Sequence, residues 1–555
     1  MFAEKIRYNT YEELCREYVL PTPNDFNYAF DVLDRKAHLT PDALCVCHID
    51  DAFVRREYSY KDMSRQSSKI ANALKGLGLK KGDRVILLLH RRIEWWQTML
   101  ALHKIGAVGI PSPAQLAPHD IAFRCRQSKA RAIIADYQIS PAVDAALDET
   151  PDLEFCIQVG STEEGAMLLP GWLDFFTLRD NACPVFARPQ NPEELACGKD
   201  PLLIFFSSGT TGMPKMVLHN HEYPLGHIFT ATYWHDVEPG DLHMAVADTG
   251  WAKACWGKFY GQWAAGAASL VYDFRGKFNP ANLLQVITEH GVNCFCAPPT
   301  IYRHLIQEDL KQYDFSALRH CAAAGEPLNE SVIHAWNMAT GLNIYEGFGQ
   351  SETTLMVASL PRMPFKPGSI GRPVPGWEVL LLDENGDTCA PGKEGEICVR
   401  VAGSRPSGLF AGYLEESQTI AATRAGWYHT GDKAWMDEDG YFWFLGRLDD
   451  LIKTSGYRVG PFEVESALVS HPAVVEAAVT AVADPVRGQA IKASIILSGG
   501  YIPSPELVRE IQNHVKNATA PYKYPRIVEF VEELPKTFSG KIQRALIRER
   551  DLKTA

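Results

Sequence analysis

The sequence predicts an α/β protein: a large N-terminal domain of mixed and parallel sheets flanked by helices, with a β-rich subdomain, followed by a small C-terminal α+β domain. Three observations carry this. Short apolar runs alternate with helical-period segments between about residues 84 and 324, the pattern of β-α-β units with buried parallel strands. After Gly371 the texture changes to short strands joined by turns such as Asp383-Glu384-Asn385-Gly386, and near Leu448 it changes again to a compact set of strands and helices. A chain of 555 residues is expected to split in this way. The expected boundaries are 1–447 for the N-terminal domain, its β-rich part at about 372–447, and 448–555 for the C-terminal domain.

In order, residues up to about 40 read as an irregular, partly helical arm. Leu44 to Tyr60 carries strand-like runs, and Lys61 to Leu77 has apolar positions at helical spacing. Arg84 to Leu89 is a buried strand and Ile93 to Lys104 an amphipathic helix. Ala107 to Ile110 is the next strand, stopped by Pro111 and Pro113. Ala132–Ala135 and Phe155–Val159 continue the series. A Pro-rich connector at 185–200 leads into the apolar run Leu202–Phe206. Further strands are expected at Leu242–Ala247, Ala268–Tyr272, Asn293–Ala297 and Ala322–Ala324, with a helix at Pro280–His290. Trp377–Leu382, Gly395–Val401 and Tyr428–Leu445 form the β-rich part. In the last domain Pro461–Ser470 is a helix with proline in its first turn and His471-Pro472 at its stop. Val474–Val482 and Ile491–Leu497 are strands, and Glu506–Lys516 is a helix. Residues 516–555 carry nine Lys/Arg against five Asp/Glu, which reads either as a solvated basic tail or as a face that meets phosphates.

Composition narrows the function. A net charge of −12 gives no reason for nucleic acid or an anionic membrane as partner. No uncharged apolar run approaches the ~18 residues of a membrane span. The first residues lack an apolar signal core and are too acidic (Glu4, Glu12, Glu13) for a mitochondrial presequence, so cytoplasm is the expectation. The 13 cysteines include the pairs Cys45/Cys47 and Cys294/Cys296 but no C-x-x-C. They read as buried, reduced thiols.

Six clusters carry chemistry. Ser207-Ser208-Gly209-Thr210-Thr211-Gly212-Met213-Pro214-Lys215 follows a buried strand directly. Glycines admit backbone N–H groups to an anion, hydroxyls add donors, and a lysine adds a point charge. A polyphosphate fits, although the spacing is not that of a P-loop. Gly325-Glu326-Pro327 sits at the end of a strand. Tyr345-Glu346-Gly347-Phe348-Gly349-Gln350-Ser351-Glu352-Thr353 brings a carboxylate and hydroxyls to a Gly-rich turn, where Glu352 suits Mg²⁺ beside a polyphosphate. Thr430-Gly431-Asp432 offers a carboxylate for a ribose diol. Gly446 to Arg458 falls at the texture change and reads as a hinge with ligand contacts on both sides. Pro535 to Lys541 sets a lysine on a Gly-bearing loop.

In this order the clusters resemble the adenylate-forming superfamily over nearly the whole chain. Gly446–Pro461, Asp484–Gly488 and Ala520–Arg526 are similar to its medium-chain acyl-CoA synthetase branch. The resemblance implies ATP-dependent activation of a medium-chain or branched-chain carboxylic acid to acyl-AMP, then transfer to coenzyme A with release of AMP, the pyrophosphate having left in the first step. It assigns Ser207, Ser208, Gly209, Thr210, Thr211, Gly212 and Lys215 to the β- and γ-phosphates. Glu352 would hold Mg²⁺ with Ser351 near the α-phosphate. Gly325, Glu326 and Pro327 with Glu346, Gly347 and Phe348, and the adjoining Gly349 and Gln350, would bracket the nucleotide. Asp432 and Arg447 would take the ribose.

On the same resemblance, Lys541 bridges the attacking carboxylate and the α-phosphate. Asp449 is the hinge of a mobile C-terminal domain. Ser455, Gly456, Tyr457, Arg458, Arg487, Lys516, Tyr524, Pro525 and Arg526 serve CoA. The acyl pocket falls to Trp234, Trp251, Lys253, Trp256 and Gly349. Where acetate-activating relatives close the pocket with a tryptophan this chain has Gly349, so the pocket is expected to be open to a longer chain or a small ring. Lys253 is a puzzle there, since a cation facing an apolar pocket is costly unless paired. It either points away or favours short, branched or partly polar acids. An aryl (benzoate-like) CoA ligase, an amino-acid-adenylating enzyme and a non-catalytic nucleotide-binding relative remain as alternatives. Relatives are commonly homodimers, but no residue here argues for one.

Overall fold

A computed structural model describes every residue except 1–4, 161–164, 208–213, 404, 449, 455–456, 485–486, 537–541 and 555, and the side chains of Tyr457, Arg458 and Thr554. Two large sheets form the first part of the chain. One is nine-stranded. Its parallel centre runs Ile344–Phe348, His320–Ala324, Cys294–Ala297, Leu242–Ala245, Ala268–Asp273 and Leu44–Asp50, with antiparallel edges. The other is eight-stranded. It runs Gly412–Tyr413, Lys215–Asn220, Pro201–Ser207, Val108–Pro111, Arg84–Leu88, Ala132–Asp136, Phe155–Val159 and Leu173–Asp174. The strands are short because they are buried along nearly their whole length, as the apolar runs require.

Ile93–Ile105 departs from expectation. The sequence reads as amphipathic, yet every residue of this helix is buried. Its charged residues and some of its polar ones face partners rather than water, while Gln97 Oε1, Thr98 Oγ1, Trp95 Nε1 and His103 Nδ1 are buried without a partner among the described residues. Arg92 reaches Glu94 at 3.2 Å, His103 Nε2 lies 2.9 Å from Tyr260 Oη, and Lys104 donates to Asp34 and Ser68 at 2.9 Å. Trp95 packs on Phe259, and Trp96 Nε1 donates to the Lys258 carbonyl. Buried charges are tolerated only when paired in this way.

A five-stranded antiparallel sheet follows, from Val379–Leu382 to Phe442–Arg447. A second five-stranded sheet, with helices Pro461–Val469 and Pro505–Ala518, makes the last part of the chain around Val464, Leu468, Val479, Ile491, Ile495 and Ile511. The end of the basic segment is not a solvated tail. Arg544–Thr554 is a helix whose Ile547 packs on Ala478 and Leu534. Its charges are committed: Arg544 to Glu465, Arg548 to Asp450, Arg550 to Glu529 and Asp551 to Lys492.

Candidate active site

Strands Pro201–Ser207 and Lys215–Asn220 are antiparallel, with Ser207 opposite Lys215. Ser208, Gly209, Thr210, Thr211 and Gly212 lie outside the described residues. Lys215 therefore opens a strand rather than closing a loop. Its Nζ stands 5.1 Å from the centre of the Tyr413 ring, and Tyr413 Oη donates to Glu352 Oε1 at 2.8 Å. Backbone bonds hold the same segment. The Ser351 carbonyl accepts from His219 Nε2 at 2.7 Å, and the Glu352 carbonyl accepts from Phe410 N at 2.7 Å. Glu352 is only 9% exposed, and Tyr413 occupies one of its oxygens. A nearly buried carboxylate whose second oxygen takes no hydrogen bond from the described residues fits a hard divalent cation such as Mg²⁺.

Strands His320–Ala324 and Ile344–Phe348 are parallel neighbours with Ala324 opposite Gly347. Gly325-Glu326-Pro327 and Glu346-Gly347-Phe348 thus leave adjacent strand ends, as a nucleotide bracket needs. The two glutamates differ in kind. Glu326 accepts from Thr300 N at 2.7 Å, from Thr300 Oγ1, and from Arg303 at 3.1 Å. Burial pushes its carboxyl up, but Arg303 and Thr300 outweigh that and hold it below the usual range. Glu346 has one partner, Leu328 N at 3.1 Å on Oε2, while Oε1 is buried with no partner among the described residues. Burial, reinforced by the charge of Glu330, pushes Glu346 up to about 8.

Asp432 and Arg447 face each other across the pair Trp427–Met436 and Phe442–Arg447, with Arg447 Nη1 3.5 Å from Asp432 Oδ1. Arg447 also donates to the Thr430 carbonyl at 2.8 Å. Gly431 has φ of 72°, and a Cβ there would lie 2.8 Å from the Arg447 guanidinium, so the turn demands glycine. Gln350 joins this turn to the Glu352 segment. Its Nε2 donates to the Thr430 carbonyl at 2.9 Å and to Asp432 Oδ2 at 2.5 Å, and its Oε1 accepts from Tyr428 at 2.6 Å.

The acyl wall does not follow the open-pocket expectation at Gly349. A Cβ on Gly349 would lie 2.4 Å from Trp256 Cη2 and 2.5 Å from the Thr354 carbonyl. The space left by the missing side chain is filled by the Trp256 indole from the opposite wall. Trp234 lies over Gly347 in the same way and meets Trp256 edge-on at 6.3 Å. Trp251 caps the helix Ala252–Gly257. Lys253 points to the end of the nucleotide bracket: its Nζ donates to the Ala324 carbonyl and lies 3.6 Å from the site of a Gly325 Cβ.

In the last part of the chain, Arg487, Tyr524 and Arg526 line one small cleft with Thr454, Ile491 and Tyr522. The Arg526 guanidinium stacks 3.9 Å over Tyr524, and Lys516 stands 5.8 Å from the same ring. Burial, together with repulsion from Arg487 and only partly offset by Asp484, lowers the Arg526 pKa. Pro525 is buried between them. Tyr457 and Arg458 lie on the strand Tyr457–Val459, whereas Ser455, Gly456, the hinge Asp449 and Lys541 are outside the described residues. The residues flanking 537–541 bridge to each other, Lys536 to Ile542. Their direct partners lie in the last part of the chain, Lys536 on Glu476 and Arg544 on Glu465, while the Lys536 charge also lowers the pKa of His304 in helix Pro299–Leu305.

Sequence reasoning missed Tyr413, Tyr428, His219, Thr300 and Arg303. Only Tyr428, two residues before Thr430-Gly431-Asp432, carried a usable signal.

A family model described as AMP-binding enzyme matches residues 33–414, and one described as AMP-binding enzyme C-terminal domain matches residues 463–541. Acyl-coenzyme A synthetase ACSM3, mitochondrial, of Homo sapiens is 40% identical over 99% of this chain and 93% of its own length. Acyl-coenzyme A synthetase ACSM5, mitochondrial, of Rattus norvegicus is 42% identical over 96% and 92%. Among solved structures, the anthranilate CoA ligase AuaEII with anthranoyl-AMP superposes with a TM-score of 0.87 at 31% identity, covering 96% of this chain and 98% of the other. The benzoate CoA ligase of Burkholderia xenovorans gives 0.81 at 26% identity, covering 94% and 100%.

Proposed function

The chain belongs to the AMP-binding enzyme family, and from that premise we infer the reaction of its site. It is an AMP-forming acyl-CoA synthetase with a carboxylic acid, ATP and CoA as substrates. In the first step the substrate carboxylate oxygen bonds to the α-phosphorus and the bond to the β-phosphate oxygen breaks, releasing pyrophosphate. In the second, the CoA sulfur bonds to the acyl carbon, AMP leaves, and the thiol proton passes to solvent.

One observation carries the residue assignment. Gln350 binds Asp432 directly, and two residues further on Glu352 is held by Tyr413, beside Lys215. A ribose ligand and a cation ligand thereby sit two residues apart in one hydrogen-bonded segment, with the phosphate ligand Lys215 placed beside it over the Tyr413 ring. Mg²⁺ on Glu352 would neutralise charge on the phosphates. Lys215 clamps the leaving pyrophosphate, while Asp432 and Arg447 take the ribose hydroxyls. The bare Oε1 of Glu346 is a buried acceptor that the adenine amino group would satisfy. Lys541 steadies the approach of two anions, carboxylate and α-phosphate. The influence of the Lys536 charge on His304 supports that role, since Lys536 flanks its segment. Asp449 separates the two domains as hinge, and rotation there exchanges Lys541 for Ser455-Gly456-Tyr457. Arg458, Arg487, Lys516 and Tyr524–Arg526 receive the CoA phosphates.

For the acid, Trp256 in the space beside Gly349 argues for the short or branched end of the medium-chain range. The edge-on Trp234–Trp256 pair also suits a flat ring, which keeps an aryl acid as the second reading. Lys253 turns toward the Ala324 carbonyl at the nucleotide bracket, so it adds no charge to the acyl end. Cytoplasm remains our localisation, a reading that the mitochondrial names of the relatives do not share; fractionation of source cells tests it.

Pyrophosphate release across acids from acetate to dodecanoate, with branched and aromatic members, with and without CoA, tests the whole reading. No release with any acid would overturn it. Acetate as best substrate would overturn the medium or branched preference alone.

A further inference from the structure

Behind the ribose turn, three side chains of the five-stranded antiparallel sheet converge on one point. Glu396 and Cys398 are alternate residues of Glu394–Arg400 and so share a face. His429 stands directly opposite Cys398 on Trp427–Met436. His429 Nδ1 lies 2.8 Å from Glu396 Oε2 and 3.5 Å from Cys398 Sγ, and one donor atom from each residue lies within 4.8 Å of the other two. Cys398 is fully buried, and the other two side chains are 13% and 15% exposed.

We propose that Glu396, Cys398 and His429 form a binding site for a borderline-soft divalent cation of the Zn²⁺ class. The donor set decides the class. One thiolate sulfur, one imidazole nitrogen and one carboxylate oxygen are unsuited to Mg²⁺ or Ca²⁺, which take oxygen ligands, and match the N/S/O preference of Zn²⁺. The separations suit ligands arranged around a single ion with a fourth position left for water. Without a cation the three atoms are poorly matched, because the single hydrogen that Nδ1 can carry serves either Glu396 or Cys398 but not both. A cation serves all three. Thiolate and carboxylate balance its two charges. On binding, the Cys398 thiol proton is released to solvent and the His429 proton moves from Nδ1 to Nε2, so one proton leaves per ion.

Two features bear on occupancy. Arg424 Nη2 lies 3.9 Å from Glu396 Oε2 and competes for it, but that side chain is 57% exposed and can swing into solvent. Glu396 Oε1 accepts from Gly431 N at 2.9 Å, which fixes the carboxylate as outer contacts commonly fix metal ligands. None of these contacts depends on which acid the enzyme activates.

The test uses the full chain stripped with a chelator and titrated with Zn²⁺, with Co²⁺ as spectroscopic probe. Wild type should bind one equivalent, release one proton, and show a thiolate-to-cobalt charge-transfer band. Cys398→Ser should lose the band and bind Zn²⁺ at least roughly tenfold more weakly. His429→Gln should weaken Zn²⁺ similarly but keep the band. Cys389→Ser, a nearby thiol outside the triad, should leave both unchanged. Absence of the band in wild type, or its loss in Cys389→Ser, would overturn the site. So would Zn²⁺ affinity unaltered in both ligand variants. If Cys398→Ser fails to fold, the wild-type band and His429→Gln decide the question.

Discussion

His219 and Ser351 are joined by a hydrogen bond of 2.7 Å from the imidazole Nε2 to the serine carbonyl oxygen. It ties the strand that begins at Lys215 to the segment that carries Glu352. The bond needs the proton on Nε2, and complete burial keeps the ring neutral, holding its pKa near 3. Burial puts His221 and His243 at about 3 and His320 at about 4.

These histidines make the fold acid-labile. Their folded pKa values lie below the ordinary ~6.5 of an unfolded chain. Their contribution is therefore fully present above pH ~6.5 and is lost as pH falls from there toward 4 and 3. The melting temperature should fall steeply between pH 6 and 4, the four histidines outweighing the single opposing shift of Glu346. His219→Gln, which keeps an N–H donor, should shallow that slope by about 1.4 kcal/mol per pH unit. A flat profile across the range contradicts the account.

Glu346 behaves in the opposite sense. Its folded pKa of about 8 lies above the ordinary carboxylate value, so holding it in the fold costs increasingly as pH rises from ~4.5 to ~8. Glu346→Gln should stabilise the free enzyme above pH 8 by a few kcal/mol, read as a melting shift that vanishes near pH 4. Glu346→Ala should lower kcat/KM for ATP about tenfold through loss of one buried acceptor. It should narrow the preference for ATP over inosine triphosphate, which lacks the amino group. Unchanged nucleotide discrimination would remove Glu346 from the adenine site.

Trp256 sets the pocket on the Gly349 side. Trp256→Ala should open the space beside Gly349 and shift the best acid to one longer by several carbons, at a stability cost of about 3–5 kcal/mol. Gly349→Trp cannot simply narrow the pocket, because its Cβ already meets Trp256 and the Thr354 carbonyl. It should fold poorly; Trp256→Ala removes one of the two clashes, so the double variant should recover folding only as far as the Thr354 carbonyl can shift, and whatever folds should favour acetate and propionate. If the single Trp256→Ala variant keeps the same chain-length profile, the wall lies elsewhere.

Lys541→Ala separates the half-reactions. Pyrophosphate release should fall by about two to three orders of magnitude, the scale of removing a preorganised charge from a transition state. Supplied acyl-adenylate and CoA should still give acyl-CoA at near wild-type rate. Equal loss of both steps would show instead that the substitution disables the domain.

Much of the fold and of the nucleotide site is legible in the amino-acid order. The buried strands declare themselves because both faces are covered and the runs are uniformly apolar. The nucleotide clusters are visible because they occupy turns at strand ends, where glycine and polar residues interrupt those runs. What stays hidden depends on long-range meeting. Tyr413 sits on a two-residue strand 61 positions from Glu352. The buried face of Ile93–Ile105 looks solvated because its charged residues find partners as distant as Asp34. Arg544–Thr554 looks like a tail because its arginines outnumber its apolar residues on the packed face, and only the fold reveals Asp450, Glu465 and Glu529 opposite them. Gly349 misleads for a similar reason: a missing side chain signals space only if no neighbour reaches into it.

The last helix has a mechanical consequence. Arg548 holds Asp450 at 2.8 Å and Arg544 holds Glu465 at 2.7 Å, both acids being about nine-tenths buried. Asp450 adjoins the expected pivot at 449, and Arg544 follows the segment that ends in Lys541. If the chain pivots at 449 as proposed, Arg544 and Arg548 tie the helix Arg544–Thr554 to the residue beside the pivot, so that helix turns with it as the near end of a lever. Truncation before Arg544 would remove the arginine partners of Asp450 and leave Glu465 with the Val479 N–H on Oε1, at a cost of about 3–5 kcal/mol for a buried carboxylate left without its counter-charge. Affinity tags are better carried at the other terminus, and a C-terminal tag should slow adenylation before it affects folding.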